Sequence, residues 1–388
     1  MGILDNSFLC HWERRRFLKS VAAMSVAPLL TGCGDKNASN PAFLGWKGPP
    51  HVADVRMRLI GWASLAPSFY NLQPWKVALE GKDTLWLVAD SKRARLHSDP
   101  LMRQVTLSQG TFLELLQLGA LSEGWNFETT LFPEGPYDTA RDMRVKPVAR
   151  VALRRAFDLI PPSLFGSVRL RRTCRKPFLA RAIFPKVRDD LLKQVRSIPD
   201  VAVGWLDRGM DLERAKGIIV EALRRTCLNP ALTREYMQHV RLTNAEVAQK
   251  RDGLMPSIPF PGEGIRFFYG TRAFSEPESW LNHWVFTQSV ARVAETTGFV
   301  WIATHDNTRH DQVLAGRAYA RLDLAAAASG LSLQPFSAPL TGHADVMPLQ
   351  DSLQNLFAPG QTMHMIARVG YAGDVSPSPR RTAGELII

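Results

Sequence analysis

Pro67-Ser68-Phe69-Tyr70-Asn71-Leu72-Gln73-Pro74-Trp75 puts a hydroxyl and two amides on one short loop with a proline at each end. Ser, Asn and Gln before a proline are ordinary turn formers. Pinned at both ends, the same groups also offer donors and acceptors at fixed places, which suits the edge of a flat heterocycle. Upstream, Val52, Val55, Leu59, Ile60 and Ala63 recur near one helical face, predicting a helix over 52–66 that Pro67 stops. Downstream, Trp75 to Leu79 and Leu85 to Ala89 read as short strands separated by a Gly-Lys-Asp turn. The loop therefore joins a helix to a strand.

The pattern continues outward from there. Asp99-Pro100 predicts a helix start, with Asp as cap and Pro at the first helical position, running to about Ser122. Strands are expected over 126–131 and 148–153, and Pro161-Pro162 punctuates the chain. Beyond it come helices over 185–195, 211–227, 279–297 and 310–329, and strands over 201–206, 299–303 and 362–370. The run from Gly110 to Gly124 parallels the run from Gly316 to Gly330, each an apolar helix bounded by glycines. Two such helices about a pseudo-twofold axis would form a core. The expected fold class is α+β: two half-similar lobes, 51–165 and 166–388, around a central sheet and long core helices. Residues 229–278, including Met255-Pro-Ser-Ile-Pro-Phe-Pro-Gly-Glu-Gly264, are Pro/Gly-rich and irregular, which reads as a lid or binding loop.

The chain has 388 residues, 45% hydrophobic and 22% charged, the composition of a packed body rather than a disordered one. No apolar run reaches the roughly 18–20 residues that would cross a bilayer. The net charge of +12 comes without a dense Lys/Arg run interleaved with aromatics, so small anions are favoured over nucleic acid. At the N-terminus, Glu13-Arg-Arg-Arg-Phe-Leu-Lys19 precedes the apolar stretch Ser20 to Leu30 and then Leu30-Thr-Gly-Cys33. A basic region, a short apolar region and small residues describe an export signal over 1–32. Arg-Arg-x-Phe-Leu-Lys resembles the twin-arginine motif, and Leu-Thr-Gly-Cys a lipobox that would lipidate Cys33. These imply a lipid-anchored protein of the periplasm or cell envelope, with 33–50 as a tether. Cys174 and Cys227 do not make a disulfide framework, although one bridge between them stays open.

Arg171-Arg172-Thr173-Cys174-Arg175 gathers three guanidinium groups and a hydroxyl, a set suited to phosphate. Ser376-Pro-Ser-Pro-Arg380-Arg381 adds two more arginines on a proline-stiffened segment. Gly330-Leu331 ends the long helix with a glycine cap that lets a ligand approach the backbone. His305-Asp-Asn-Thr-Arg-His310-Asp311 has metal-ligand residue types, but its spacing fits a helix-capping segment better, and no metal site is expected. No Gly-x-Gly-x-x-Gly follows a strand, so a Rossmann site has no support. No serine-hydrolase elbow is present either.

Pro-Ser-x-x-Asn-x-Gln-Pro-Trp resembles the signature loop of the nitroreductase superfamily of FMN-dependent oxidoreductases. Arg-Arg-Thr-x-Arg resembles that superfamily's Arg-Arg-Ser-x-Arg phosphate motif. The closing Ser-Pro-Arg-Arg and the exported, two-lobed layout look most like its Acg-type FMN-binding branch, over residues 51–388. In ordinary members the Arg motif precedes the loop in one short chain, and each flavin site takes one motif from each of two subunits. Here the loop stands only in lobe one and the Arg motif only in lobe two, with Arg56-x-Arg58 as the lobe-one remnant. The resemblance thus implies a monomeric, fused pseudo-dimer with one FMN. It would place Arg171, Arg172, Thr173 and Arg175, with Arg380 or Arg381, at the phosphate and ribityl end. Pro67, Ser68, Asn71 and Gln73 would face the ring, and Gly330-Leu331 its other edge. It implies electron transfer between a small-molecule donor and acceptor, with the chemistry at the flavin and no catalytic side chain. The superfamily's usual nicotinamide reductant is cytoplasmic, whereas this chain reads as exported. A flavin-sequestering protein with buried FMN and little turnover is therefore the alternative.

Overall fold

In the computed structural model, which describes residues 40–255 and 280–388, the helix expected before the loop is α1, Val55–Ala63. Asp54 caps it, its carboxylate accepting from the Arg56 amide at 2.9 Å. The strands that follow the loop are β1, Trp75–Glu80, and β2, Thr84–Ala89, paired antiparallel with Leu79 opposite Leu85. Next come α2, Arg103–Ser122, then β3, Trp125–Leu131, and β4, Ala149–Arg155. Helix α2 starts later than Asp99-Pro100 predicts, because Met102 is left-handed at φ 54°. Asp99 still caps it from outside, accepting from the amides of Gln104 at 3.1 Å and Val105 at 3.0 Å.

Lobe two opens with α3, Pro185–Arg196, and β5, Val201–Leu206. Among the described residues, four helices then stand where lobe one has a tight turn: α4, Met210–Leu228; α5, Pro230–Met237; α6, Asn244–Lys250; and α7, Trp280–Ala294. The chain closes with β6, Phe299–Thr304; α8, Arg309–Ala328; β7, Leu331–Pro335; α9, Met347–Phe357; and β8, Thr362–Tyr371. The segment before α8 is a capping box, with Asp311 N donating to Thr308 Oγ1 and Thr308 N to the Asp311 carboxylate.

The expected α+β class holds, with a difference in detail. The strands form two four-stranded antiparallel sheets, ordered β1-β2-β4-β3 and β5-β6-β8-β7, because each lobe closes its own strands. Each long helix packs on its own sheet and against the other long helix. Each lobe therefore runs strand, strand, 20-residue helix, strand, strand, in the same sheet order.

The helix crossing is reciprocal. Gly110 and Gly316 are each the eighth residue of their helix. A Cβ on Gly110 would lie 2.1 Å from Val313 O, and one on Gly316 would lie 2.1 Å from Leu107 O. The first residue of each helix reaches the opposite lobe. Arg103 donates to Met363 O at 2.7 Å, and Arg309 to Leu101 O at 2.8 Å and Tyr137 O at 3.0 Å. Glu114, fully buried on α2, takes Arg317 and Arg321 of α8 at 2.8 and 2.6 Å. Both helices end in a left-handed glycine, Gly124 at φ 76° and Gly330 at φ 69°.

Two sequence expectations need correction. The irregular run at 229–278 contains α5 and α6. Asn229 caps α5, accepting from Ala231 N at 3.0 Å with Pro230 behind it, and Thr243 with Glu246 forms a capping box for α6. Residues 256–278 of that run lie outside the described residues, as does the export signal. The tether does not extend to residue 50: Pro41–Lys47 is a short 3-10 helix with Ala42, Phe43 and Trp46 buried, and the Trp46 indole donates to Ser378 O at 2.8 Å. Among the described residues, no helix is long and apolar enough to cross a membrane.

Candidate functional site

The loop after α1 is held in an unusual backbone conformation. Tyr70, Asn71 and Gln73 all have left-handed φ, at 49°, 56° and 51°. Such angles are uncommon for residues other than glycine and persist only where surroundings impose them. Thr111 Oγ1 donates to Pro67 O at 2.6 Å, Phe69 N to Ser108 Oγ at 3.2 Å, and Gln73 N to Ser68 Oγ at 3.0 Å. The loop's two amides complete the clamp from below. Asn71 Nδ2 donates to Pro379 O at 3.0 Å and Gly253 O at 3.1 Å, while its Oδ1 accepts from Arg380. Gln73 Nε2 donates to Arg251 O at 2.9 Å, and its Oε1 accepts from Arg381 N at 2.8 Å. Asn71 and Gln73 therefore face the C-terminal segment and the 251–253 backbone, not an open space.

The arginines divide in the same way. Arg171 is buried in an ion pair with Asp323 of α8 at 3.0 Å and donates to Leu65 O at 3.2 Å. Arg172 lies 4.1 Å over the Trp46 ring. Arg380 lies 5.1 Å from the same ring and donates to Asn71 and Leu65 O. Arg381 donates to the carbonyls of Gln73 and Trp75. These four tie the N-terminal arm, the C-terminal segment and the loop together, because buried guanidinium groups settle on whatever acceptors the fold brings near.

Thr173 and Arg175 go elsewhere. Cys174 N donates to Leu333 O at 3.1 Å, seating this strand-like stretch beside β7. Thr173 and Arg175 then line a cavity of about 250 Å³ with Pro67, Ser68, Phe69 and Tyr70 of lobe one. Helix α2 supplies Gln104 and Ser108, the inserted helices supply Cys227 and Tyr236, α8 supplies Tyr319, and the chain from Gln334 to Ala338 completes the wall. Gly330 is exposed and Leu331 is paired with Tyr371, so neither reaches the cavity; it meets β7 at the far end instead.

The cavity's electrostatics are one-sided. Its described lining has one cation, Arg175, and no Asp, Glu, Lys or His. Among the described residues, the Arg175 guanidinium has neither an ion pair nor a hydrogen bond. Some of its surface stays accessible, yet protein crowds the group, and this desolvation lowers its pKa against the pull of Tyr236, Tyr319 and Cys174. Among the described residues the buried Tyr319 hydroxyl has no partner, and burial pushes its pKa well up, so it remains a donor. Burial likewise pushes the Cys227 thiol up to about 12, leaving it protonated and unreactive at neutral pH. Both Cys174 and Cys227 are free thiols. Phe69 and Tyr70 stack at 4.1 Å between ring centres and give the lobe-one wall a flat aromatic surface.

No family model matches the chain, and no curated protein matches it. Solved structures do. The FMN-dependent nitroreductase NfnB from Mycobacterium smegmatis, in complex with NADPH, is 16% identical, with a TM-score of 0.36 over 57% of this chain and 97% of that one. Oxidised iodotyrosine deiodinase bound to FMN and 3-iodo-L-tyrosine is 15% identical, with a TM-score of 0.34 over 56% of this chain and 94% of that one. A nitroreductase-like family protein from Bacillus cereus is 13% identical, with a TM-score of 0.33 over 57% and 91%.

Gln334, Tyr319 and Tyr236 escaped the sequence reading. Tyr319 left one signal, a polar aromatic between Ala318 and Ala320 on an Ala-rich helix. Gln334 left none, because β7 is short and directly follows the glycine cap.

Proposed function

We propose that this chain is an exported FMN-dependent oxidoreductase of nitroreductase type, with one flavin in the interlobe cavity. The observation that carries the proposal is the meeting of Pro67–Tyr70 from lobe one and Thr173 and Arg175 from lobe two on one cavity, where the Arg175 guanidinium has no partner among the described residues. Those residues fit the cofactor. Arg175 supplies the charge that a phosphate needs, Thr173 a hydroxyl beside it, and Phe69 with Tyr70 a flat wall for the ring. Bound flavin would supply the two-electron exchange between a small donor and a small acceptor. The protein's part is to bind, orient and keep water away.

The repeated sheet order and the reciprocal glycine crossing support reading the chain as a fused pseudo-dimer that acts as a monomer. They also bear on stoichiometry. Leu314 and Arg317 of α8 stand where α2 has Ser108 and Thr111, and Arg317 is engaged by buried Glu114. That ion pair supports reading the second, symmetry-related place as taken by protein side chains, which favours one flavin per chain.

Arg175→Ala should weaken FMN by about tenfold or more while leaving riboflavin nearly unchanged, since a hydrogen bond to a charged group is worth about 1.5–3 kcal/mol. Fluorescence titration of both ligands checks this. Equal losses would remove Arg175 from the phosphate.

Export and anchoring belong to the same proposal. Arg14-Arg15-x-Phe17-Leu18-Lys19 supports transport in the folded, flavin-bound state, and Cys33 supports anchorage afterwards. Arg14→Lys with Arg15→Lys keeps the charge but removes the paired guanidinium groups. Cell fractionation should find that variant in the cytoplasm, and Cys33→Ala exported but released from the membrane. Arrival of the double Lys variant in the envelope at the normal rate would refute the twin-arginine route.

A further inference from the structure

Asn71 and Gln73, the amides that the loop resemblance directs at a flavin ring, are engaged with backbone carbonyls and the C-terminal segment. A ring that carries carbonyl oxygens still needs donors, and the opposite wall of the cavity has them. Gln334 lines the cavity, and its Oε1 accepts from Arg368 Nε at 2.9 Å. Arginine can only donate, so the amide oxygen must face it, and the amide's two N–H groups face away. Gln334 Nε2 has no partner among the described residues.

Arg368 is itself fixed. It is fully buried, donates through Nη2 to Lys176 O at 2.6 Å and lies 4.0 Å over the Phe178 ring. The Gln334 amide is therefore held in one orientation by a side chain that cannot turn. On the lining of the same cavity, the buried Tyr319 hydroxyl also lacks a partner among the described residues.

We propose that Gln334, oriented by Arg368 and aided by the Tyr319 hydroxyl, reads the carbonyl-bearing edge of a planar heterocycle in the cavity. The inference rests on the flavin reading and moves ring recognition from lobe one to lobe two. Arg175, Gln334 and Tyr319 then form a wall of donors that selects ligands rich in acceptors. Gln334 and Tyr319 touch the ligand, and Arg368 is a positioning residue.

The test is binding of three probes, FMN, riboflavin and lumiflavin, to the wild type and variants, read by titration and by the visible absorption band of the bound ligand. Gln334→Glu keeps the partner of Arg368 but replaces both N–H donors with an acceptor. All three probes should weaken by about tenfold or more, because they share the ring. Gln334→Leu removes the donors without adding charge and should act in the same direction. Arg368→Lys should weaken all three less and shift the absorption band, since it frees the amide to turn. Thermal melting verifies that each variant folds. Wild-type affinity in Gln334→Glu and Gln334→Leu overturns the proposal, and so does a loss confined to FMN, which would place the amide at the phosphate. Failure of the wild type to bind any of the three would instead overturn the flavin reading itself.

Discussion

Arg171→Ala is expected to destabilise the folded chain by about 3–5 kcal/mol, the usual cost of removing one partner from a buried ion pair. Arg171 and Asp323 are each 2% exposed, and their charges meet at 3.0 Å. Burial already raises the Asp323 pKa, and Arg171 is the main group holding it down. Without that guanidinium the carboxyl group must either stay charged in a dry core or take up a proton, and Leu65 O loses a donor as well. Denaturant titration of the variant should show a large drop in midpoint. Normal stability combined with selectively weaker FMN would return Arg171 to the phosphate role that its motif implies.

The second large effect lies at the helix crossing. Gly→Ala inside a helix ordinarily stabilises it by about 1 kcal/mol. Here the sign should reverse. A methyl group on Gly316 would lie 2.1 Å from Leu107 O, and the obstacle is backbone, which cannot rotate aside. The helices would have to separate, and overpacking of this kind costs about 1–3 kcal/mol or more. Gly316→Ala and Gly110→Ala should each lower the melting temperature. The double variant should cost less than their sum, because once the helices part for one methyl group they have parted for both. Neutral or raised stability in either single variant would contradict the close crossing.

What the sequence revealed about the fold was local. Apolar periodicity located α2, α4 and α8 and the strands β1 to β6 and β8, and the paired glycines marked the crossing. β7 and α9 were missed, as were α5 and α6, short helices inside a Pro/Gly-rich run. The site was legible where neighbouring residues decide it: Ser68 is held within its own loop by Gln73 N, whereas the stretch carrying Thr173 and Arg175 takes its seat from distant Leu333 of β7. It was illegible where a partner far along the chain decides. Nothing near Arg171 announces Asp323, 152 residues away. Nothing near Asn71 or Gln73 announces that Pro379, Arg380 and Arg381 will fold back onto them. The residue types were right for a phosphate and a ring, and tertiary contacts claimed several of them first.

The most direct measurement is titration of the purified, flavin-free chain with FMN, followed by absorbance and by flavin recovered per polypeptide. Saturation is expected at one FMN per chain, with binding weakened about tenfold or more in Arg175→Ala and unchanged in Cys33→Ala. Two flavins per chain, or none at saturating FMN, would contradict this expectation.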